Sequence, residues 1–103
     1  MATGYNAKVE RFKQLTGEMA ALYARKNKDY GDSFTEMYKE WGAMYPVSRM
    51  QEKIRRAIQL MRASKAQVQE EKLTDTLIDL ANYALMTIME IKEDIKEVNG
   101  ESK

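Results

Sequence analysis

The sequence contains no cysteine and no histidine. Without cysteine the chain cannot form disulfides, zinc–thiolate sites or a cysteine nucleophile. Without histidine it cannot build a Ser–His triad, a His-ligated metal site or an imidazole acid–base pair. Any catalysis must therefore use carboxylates, Lys, Arg, Tyr, Ser or Thr. Mg²⁺ held by carboxylates is the natural candidate cofactor, because hard cations prefer oxygen ligands.

Long apolar runs and a strong net charge are absent as well. No stretch approaches the roughly 18–20 uncharged apolar residues that span a membrane. Residues 1–5 lack the basic and apolar pattern of a signal peptide, so we expect a cytoplasmic protein. A formal net charge of +1 gives no bulk field that favours DNA, RNA or anionic lipid, and no direct nucleic-acid binding is expected.

The composition, 44% apolar and 32% charged, is that of a globular chain, and 103 residues predict one domain, 1–103. Five glycines and one proline leave room for long helices. Apolar residues recur every three or four positions, which predicts an all-α fold with three long helices and one short helix in a small bundle. The predicted helices are 5–26, 34–41, 49–63 and 74–98, and the tail 99–103 is predicted to be disordered.

Local signals set the predicted boundaries. Asn, Asp and Gly in segment 26–34 predict a loop, Gly42 should stop the second helix, and polar segment 64–72 is predicted as a loop or frayed end. The residue before a proline avoids helix, so segment 45–47 should be extended. Ser48 is predicted to cap the third helix, with Gln51 completing a capping box.

Apolar residues cover more than one face of the predicted fourth helix, which indicates a homo-oligomer through this last helix. Its apolar residues are Leu77, Ile78, Leu80, Ala81, Ala84, Leu85, Met86, Ile88, Met89, Ile91 and Ile95. The third helix is predicted to bury Met50, Ile54, Ala57, Ile58 and Met61.

Carboxylates at steps of four form the first candidate site. Glu71, Asp75 and Asp79 share one side if the fourth helix extends back to Glu71, and Asn82 follows Asp79 by three residues. Asp79 interrupts an apolar surface, so it should meet either a metal or a cation. The plainer interpretation is an ion pair between Asp79 and Lys53 or Arg56 of the third helix. Alternatively, Lys53 and Arg56 could together bind a phosphate chain.

Segment 26–34 is a second candidate. Lys26 and Lys28 offer positive charge, Asp29 can accept hydrogen bonds from a sugar or hold a metal, and Tyr30 can stack on a base. An ordinary helix end explains the same residues. The aromatic residues Phe34, Tyr38 and Trp41 fall on one helical face, where core packing is favoured over a base-stacking wall.

Three segments together resemble a small phage and bacterial family catalogued as a nucleotide-modification-associated domain: KNKDYGDSF at 26–34, KIRR at 53–56 and DTLIDLANYA at 75–84. That family is in turn similar to the all-α nucleoside triphosphate pyrophosphohydrolases, the MazG-like and dimeric dUTPase group. The resemblance implies an oligomeric helical protein of the host cytoplasm. It also implies that acidic residues hold Mg²⁺ while water attacks a triphosphate.

Carried over by position, Asp79 matches the aspartate of the pyrophosphohydrolases' late Glu-x-x-Asp motif. Thr76 replaces the glutamate of that motif, and the acid lies one residue earlier, at Asp75. The earlier Glu-Glu-x-x-Glu motif is missing, and Glu18 stands alone on the first helix. Fewer carboxylates mean a weaker metal site.

Three functional readings follow. In an enzyme, Glu71, Asp75 and Asp79 would hold Mg²⁺, Asp75 and Asp79 would be catalytic, and the site would cleave a nucleoside triphosphate. In a binding module, Lys26, Asp29, Tyr30, Lys53, Arg56 and Asn82 would hold a nucleotide, for example a cyclic signal, without turnover. In a structural oligomer that binds a host protein, Asp79 would simply pair with a cation. We expect a nucleotide-binding helical oligomer that could also act as a Mg²⁺-dependent nucleoside triphosphate pyrophosphohydrolase. The alternative is a non-catalytic phage protein that sequesters a cyclic nucleotide signal or binds a host protein.

Overall fold

The computed structural model describes residues 4–30, 32–63 and 66–100, with side chains described outside residues 28–30 and 66–69. Within these ranges the chain forms four helices and no strand: α1 Gly4–Tyr30, α2 Ser33–Trp41, α3 Met44–Arg62 and α4 Ala66–Val98. The predicted all-α class, with three long helices and one short helix, is confirmed. No helix in the described ranges is long and apolar enough to cross a membrane.

The chain divides into two compact units, Met1–Asp32 and Ser33–Lys103. α1 forms the described part of the first unit, and α2, α3 and α4 form the second. The single domain 1–103 stays a prediction. Residues 101–103 of the predicted disordered tail lie outside the described residues, while Asn99 and Gly100 form a turn after α4.

α1 continues through Lys26–Tyr30, where the sequence predicts a loop. Lys26 is also the last residue of the predicted first helix, so the prediction is wrong for residues 27–30. Asn27 and Asp29 are weak helix formers, but each costs only a few tenths of a kcal/mol relative to Ala. Neither proline nor glycine lies among the five residues, so nothing in them breaks the backbone ladder. Gly31 lies outside the described residues.

Gly42 ends α2 as predicted. Its φ of +70° is a left-handed conformation that residues with a Cβ adopt only at a cost. The Gly42 amide donates to the Tyr38 carbonyl at 2.7 Å, and the Tyr45 amide donates to the Gly42 carbonyl at 3.1 Å. These two hydrogen bonds form the turn at Gly42 and Ala43, so α3 follows α2 after only two residues.

α3 begins at Met44, five residues before its predicted start, and the predicted extended segment 45–47 is wrong. Pro46 occupies the first turn, where an amide would have no intrahelical acceptor, so its missing N–H costs little. The predicted capping box is also wrong, because Ser48 lies inside the helix and its Oγ donates to the Tyr45 carbonyl at 2.9 Å. Pro46 is fully buried, which gives the early start a packing reason.

α4 begins at Ala66, so most of the predicted loop 64–72 is helix, whereas its end at Val98 agrees with the prediction. Gln, Glu and Lys dominate the start of α4 and are good helix formers, so polarity alone was a poor guide. This early start meets the condition for the carboxylate ladder, since Glu71, Asp75 and Asp79 all belong to one helix.

α3 and α4 pack as an antiparallel hairpin. Arg49 contacts Tyr83, and Lys53, four residues later, contacts Asp79, four residues earlier. Small buried side chains lie where the two helices face each other: Ala57 of α3 and Thr76 and Thr87 of α4. Each threonine hydroxyl donates to the carbonyl four residues before it, Thr76 to Lys72 at 2.8 Å and Thr87 to Tyr83 at 2.6 Å. These bonds satisfy the two hydroxyls, so both threonines can be buried.

α2 packs on one side of this hairpin. The Thr35 hydroxyl donates to the Glu90 carboxylate, and Tyr38 is buried beside Asp94. Burial raises the pKa of Tyr38. The negative charge of Asp94 and the hydrogen bond between Asp94 and the Tyr38 hydroxyl raise it further. α2 is thus tied to the C-terminal half of α4 by two polar contacts.

Replacing Gly42 with Ala should destabilise the protein by about 1–2 kcal/mol, because a Cβ is strained at this φ. A Cβ at Gly42 would have no neighbour within 4 Å, so the effect isolates backbone strain. Gly17→Ala is the matched control: it also meets no atom, but it lies inside α1 and should increase helicity. Circular dichroism during thermal unfolding measures the stability of both variants. If the two substitutions changed the stability in the same direction, backbone strain at Gly42 would not be the cause.

Alkaline pH should weaken the second unit through Tyr38. Since the folded-state pKa lies above the ordinary value of 10.0, the stabilisation is complete below about pH 10 and is lost as the pH rises through the folded pKa. Between about pH 9 and 11, the range around the ordinary tyrosine pKa, the free energy of unfolding should therefore fall less in Tyr38→Phe than in the natural chain. Tyr5, which is 77% exposed, supplies the control Tyr5→Phe, whose pH profile should match the natural chain. Identical profiles for all three proteins would rule out the role of Tyr38.

Candidate functional site

Polar side chains gather on one side of the α3–α4 hairpin. Arg49, Lys53 and Arg56 follow one another at steps of four and three residues, so they lie along one side of α3. Asp79 and Tyr83, one turn apart on α4, meet the first two of these cations. We call these five residues the polar face.

Lys53 and Asp79 form an ion pair between the two helices. Lys53 Nζ lies 3.3 Å from Asp79 Oδ2, and the side chains are 25% and 29% exposed. The sequence predicts that Asp79 must meet a positive charge because it interrupts apolar helix surface. The structure supplies one from Lys53, which is the plainer of the two alternatives. At this depth, losing either partner would leave a partly desolvated charge.

Arg49 is held by three groups. Its Nε donates to the Tyr83 hydroxyl oxygen at 3.4 Å, and its guanidinium carbon lies 5.9 Å from the centre of the Tyr83 ring. Its Nη1 donates to Glu52 Oε1 at 3.2 Å. The hydrogen bond with Tyr83 raises the pKa of Arg49 further above its ordinary value. The side chain is 42% exposed, so the guanidinium is oriented but still open to a ligand.

An aromatic cluster supports this arrangement. The Phe34 ring lies 5.5 Å from the Tyr45 ring, edge to face, and 6.1 Å from the Tyr83 ring. All three side chains are half-buried, as expected for packing between α2 and the hairpin. Trp41 departs from the predicted aromatic core, because it is 60% exposed. It is the last residue of α2, beside the Gly42 turn, and thus beyond the packed turns of that helix.

The three predicted metal ligands lie in two places on α4. Glu71 and Asp75 line an open depression of about 510 Å³ with Glu70 and Thr74, whereas Asp79 pairs with Lys53. Among the described residues, no three Asp or Glu side chains are arranged to hold a metal ion. Thr76, which replaces the motif glutamate, is buried with its hydroxyl bonded to its own helix. Mg²⁺ held by Glu71, Asp75 and Asp79 remains a prediction.

The other predicted contacts lie in two places. Asn82 is half-buried on α4, near Asp79 in the helix. Lys26 is exposed in the last part of α1, which belongs to the other unit. Asp29 and Tyr30 are in the same helix, but their side chains lie outside the described residues. Their predicted role in holding a nucleoside remains a prediction.

Sequence reasoning missed Arg49 and Tyr83. The signal for Arg49 was present, since it precedes Lys53 by one helical turn, but the predicted cap at Ser48 placed it at a helix end. Tyr83 lies within the segment 75–84 that was singled out, yet nothing in the sequence pairs it with an arginine 34 residues earlier. Such a pairing depends on the register of the hairpin, which local patterns do not specify.

A family model described as Nucleotide modification associated domain 1 matches residues 26–91. The match spans nearly two thirds of the 103 residues and contains the whole polar face. The chain therefore belongs to the Nucleotide modification associated domain 1 family. No curated protein and no solved structure matches it.

Charge exchange tests the ion pair. Lys53→Asp and Asp79→Lys should each destabilise the protein by about 1–3 kcal/mol, because each places two like charges at a partly desolvated junction. The double variant should regain most of the loss, since the pair is re-formed with reversed polarity. Urea unfolding measures the free energy of unfolding of the natural chain, the two single variants and the double variant. Additive losses in the double variant would show that the two side chains do not interact.

Proposed function

We propose that this member of the Nucleotide modification associated domain 1 family binds a phosphorylated nucleotide through the cations of its polar face. One observation supports the proposal above the others. Three cations follow one side of α3, and two of them are oriented by partners on α4. Family membership gives the ligand class its plausibility, and the row of cations gives it a chemical basis.

The spacing of the cations suits a ligand with more than one phosphate. With a rise of about 1.5 Å per residue, Arg49 and Arg56 begin about 10 Å apart along the axis of α3. Arginine presents a planar fork of donors to phosphate oxygens, and lysine adds a compact charge. Such charge-assisted hydrogen bonds are roughly twice as strong as neutral ones.

Arg56 is the cation with the most freedom to bind. It is exposed, and the described residues give it no ion pair, in contrast to Arg49 and Lys53. An incoming phosphate would meet Arg56 without breaking a contact. It would share Lys53 with Asp79 and Arg49 with Glu52. Lys53 and Arg49 should therefore contribute less to the binding free energy than their charges alone suggest.

Turnover is not part of this proposal. The resemblance to the MazG-like pyrophosphohydrolases implies Mg²⁺ on several carboxylates. In this chain Asp79 lies against a lysine, and the described carboxylates form no three-ligand group. Mg²⁺-dependent hydrolysis therefore remains a prediction of the resemblance, and binding is the activity that the described residues favour.

Binding should be measured with a panel of nucleoside mono-, di- and triphosphates, with inorganic triphosphate as a base-free probe. A ligand bound only by the native state raises the unfolding temperature. We expect a shift that grows with the number of phosphates, weakens with salt and persists in EDTA. The absence of any shift across the panel at millimolar ligand would overturn the proposal.

Arg56→Gln and Arg55→Gln form a matched pair of variants. Both residues are exposed arginines of α3, but Arg55 points about 100° away from Arg56 around the helix. Loss of one charge-assisted phosphate contact should weaken binding about tenfold in Arg56→Gln, and Arg55→Gln should bind like the natural chain. Equal losses would indicate a general charge effect. Pyrophosphate release measured in the same samples would show turnover and replace binding with hydrolysis.

A further inference from the structure

A chain of three side chains joins α2 to the polar face. The Phe34 ring of α2 lies 6.1 Å from the Tyr83 ring of α4, with an angle of 34° between the two planes. The Tyr83 hydroxyl accepts a hydrogen bond from Arg49 Nε at 3.4 Å, and the Arg49 guanidinium carbon lies 5.9 Å from the centre of the same ring. Tyr83 thus contacts both an aromatic residue of α2 and the first cation of the polar face.

The Tyr83 ring depends on its neighbours for its orientation. Rotation of an aromatic ring about its bond to Cβ has broad preferences, so packing rather than torsional energy fixes the plane of the ring. Phe34 supplies this packing from α2. A rotated ring would no longer present its face to the Arg49 guanidinium, and a displaced ring would take its hydroxyl away from Nε. The planar fork of an arginine binds phosphate oxygens best when its plane is held, so Phe34 acts on Arg49 through Tyr83.

The docking of α2 in turn places Phe34. The next residue, Thr35, donates its hydroxyl to the Glu90 carboxylate. Tyr38, one turn after Phe34, is buried with its hydroxyl bonded to Asp94. These contacts hold α2, and Phe34 with it, against the part of α4 that follows the Tyr83 position.

α2 has little stability of its own. It is nine residues long, and isolated helices shorter than about 12–15 residues are marginal in water. Its order therefore comes from its contacts with α3 and α4, and elements of this kind open locally at a lower free energy than the whole fold. Opening of α2 would remove Phe34 from Tyr83 and release one restraint on Arg49.

We propose that α2 regulates phosphate binding by the polar face, with Tyr83 as the positioning residue between them. In the docked state, Phe34 holds the Tyr83 ring, and Tyr83 holds the Arg49 guanidinium in the orientation that a phosphate meets. A ligand bound to this arrangement also stabilises it, so phosphate at Arg49 and docked α2 favour each other. This regulation rests on the proposed nucleotide binding, and it makes the contribution of Arg49 depend on α2.

The contact chain is tested first without a ligand. The Nε–H signal of Arg49 in a ¹⁵N NMR spectrum is identified by its absence in Arg49→Gln. Phe34→Leu should shift this signal and lower its heteronuclear NOE, because a released guanidinium moves on the ps–ns timescale. Trp41→Leu is the matched control. It also removes a ring from α2, but Trp41 is 60% exposed at the end of the helix, so the Arg49 signal should stay unchanged.

Inorganic triphosphate is the probe for binding. Phe34→Leu and Tyr83→Phe should each weaken its binding about three- to tenfold, because Arg49 is no longer held. In an Arg49→Gln background the same two changes should have no further effect, since they act through Arg49. A purely structural role would instead lower the affinity equally in both backgrounds. Circular dichroism checks that each variant is folded, and Tyr83→Phe, which keeps the ring, carries the test if Phe34→Leu unfolds.

Hydrogen exchange measures the same coupling from the side of α2. Saturating triphosphate should slow the exchange of the α2 amides about three- to tenfold in the natural chain, the factor by which loss of Phe34 weakens binding, since coupling between two sites is reciprocal. In Tyr83→Phe the slowing should be smaller, because the link between α2 and Arg49 is weakened.

The outcomes distinguish this regulation from the proposed function. Equal affinities of the natural chain, Phe34→Leu and Tyr83→Phe for triphosphate would overturn the regulation and leave the proposed function intact. An Arg49 signal unchanged in Phe34→Leu, or changed equally in Trp41→Leu, would also overturn the regulation alone. A natural chain that binds no triphosphate would overturn both, whatever the Arg49 signal shows.

Discussion

The antiparallel packing of α3 against α4 is the constraint on which the second unit depends. Its register is set by two contacts, Arg49 with Tyr83 and Lys53 with Asp79, placed one helical turn apart on each helix. Sliding one helix by a turn would separate both pairs and leave a carboxylate in apolar surroundings, which is costly. Buried Ala57 and Thr76 let the two backbones approach, so polar and packing requirements specify the same alignment.

Two helices have more surface than they can cover for each other. α2 is only nine residues long and is bonded to the C-terminal half of α4 on one side of the hairpin. The opposite side keeps its aliphatic residues exposed. A hairpin built in this way has a charged side and an apolar side. Ile54, Ile58 and Met61 of α3 are among the exposed residues, so the prediction that α3 buries them is wrong for this chain on its own.

Hydrophobic periodicity was enough to predict four helices and their order. The predicted helix boundaries were wrong where single residues were interpreted as the start or end of a helix. Pro46 and Ser48 indicated a new helix start, yet both lie inside α3, because a proline in the first turn loses no hydrogen bond and a serine can bond to its own helix. The segment before Gly31 was assigned to a loop, although weak helix formers at the end of a long helix rarely stop it.

The candidate site was only partly predictable for a different reason. Asp79 was identified correctly as a carboxylate that needs a positive partner, because a charge among apolar neighbours is expensive wherever the rest of the chain lies. Which cation meets it depends on the hairpin register, as does the pairing of Arg49 with Tyr83. The metal group was predicted from spacing along one helix. Spacing places carboxylates on one side but does not bring ligands from a second helix, and the structure directs Asp79 toward Lys53 instead.

The ion pair also affects how a ligand would bind. Lys53 already compensates Asp79, so a phosphate at Lys53 would have to share its charge with that carboxylate, and the pair cannot contribute its full attraction to both. Arg56, one turn beyond, has no such competitor among the described residues. The pair therefore orients the cationic row, and the row's free charge lies toward Arg56. A role for Asp79 in positioning Lys53 is thus compatible with nucleotide binding, even though the ion pair by itself is what a purely structural role would require.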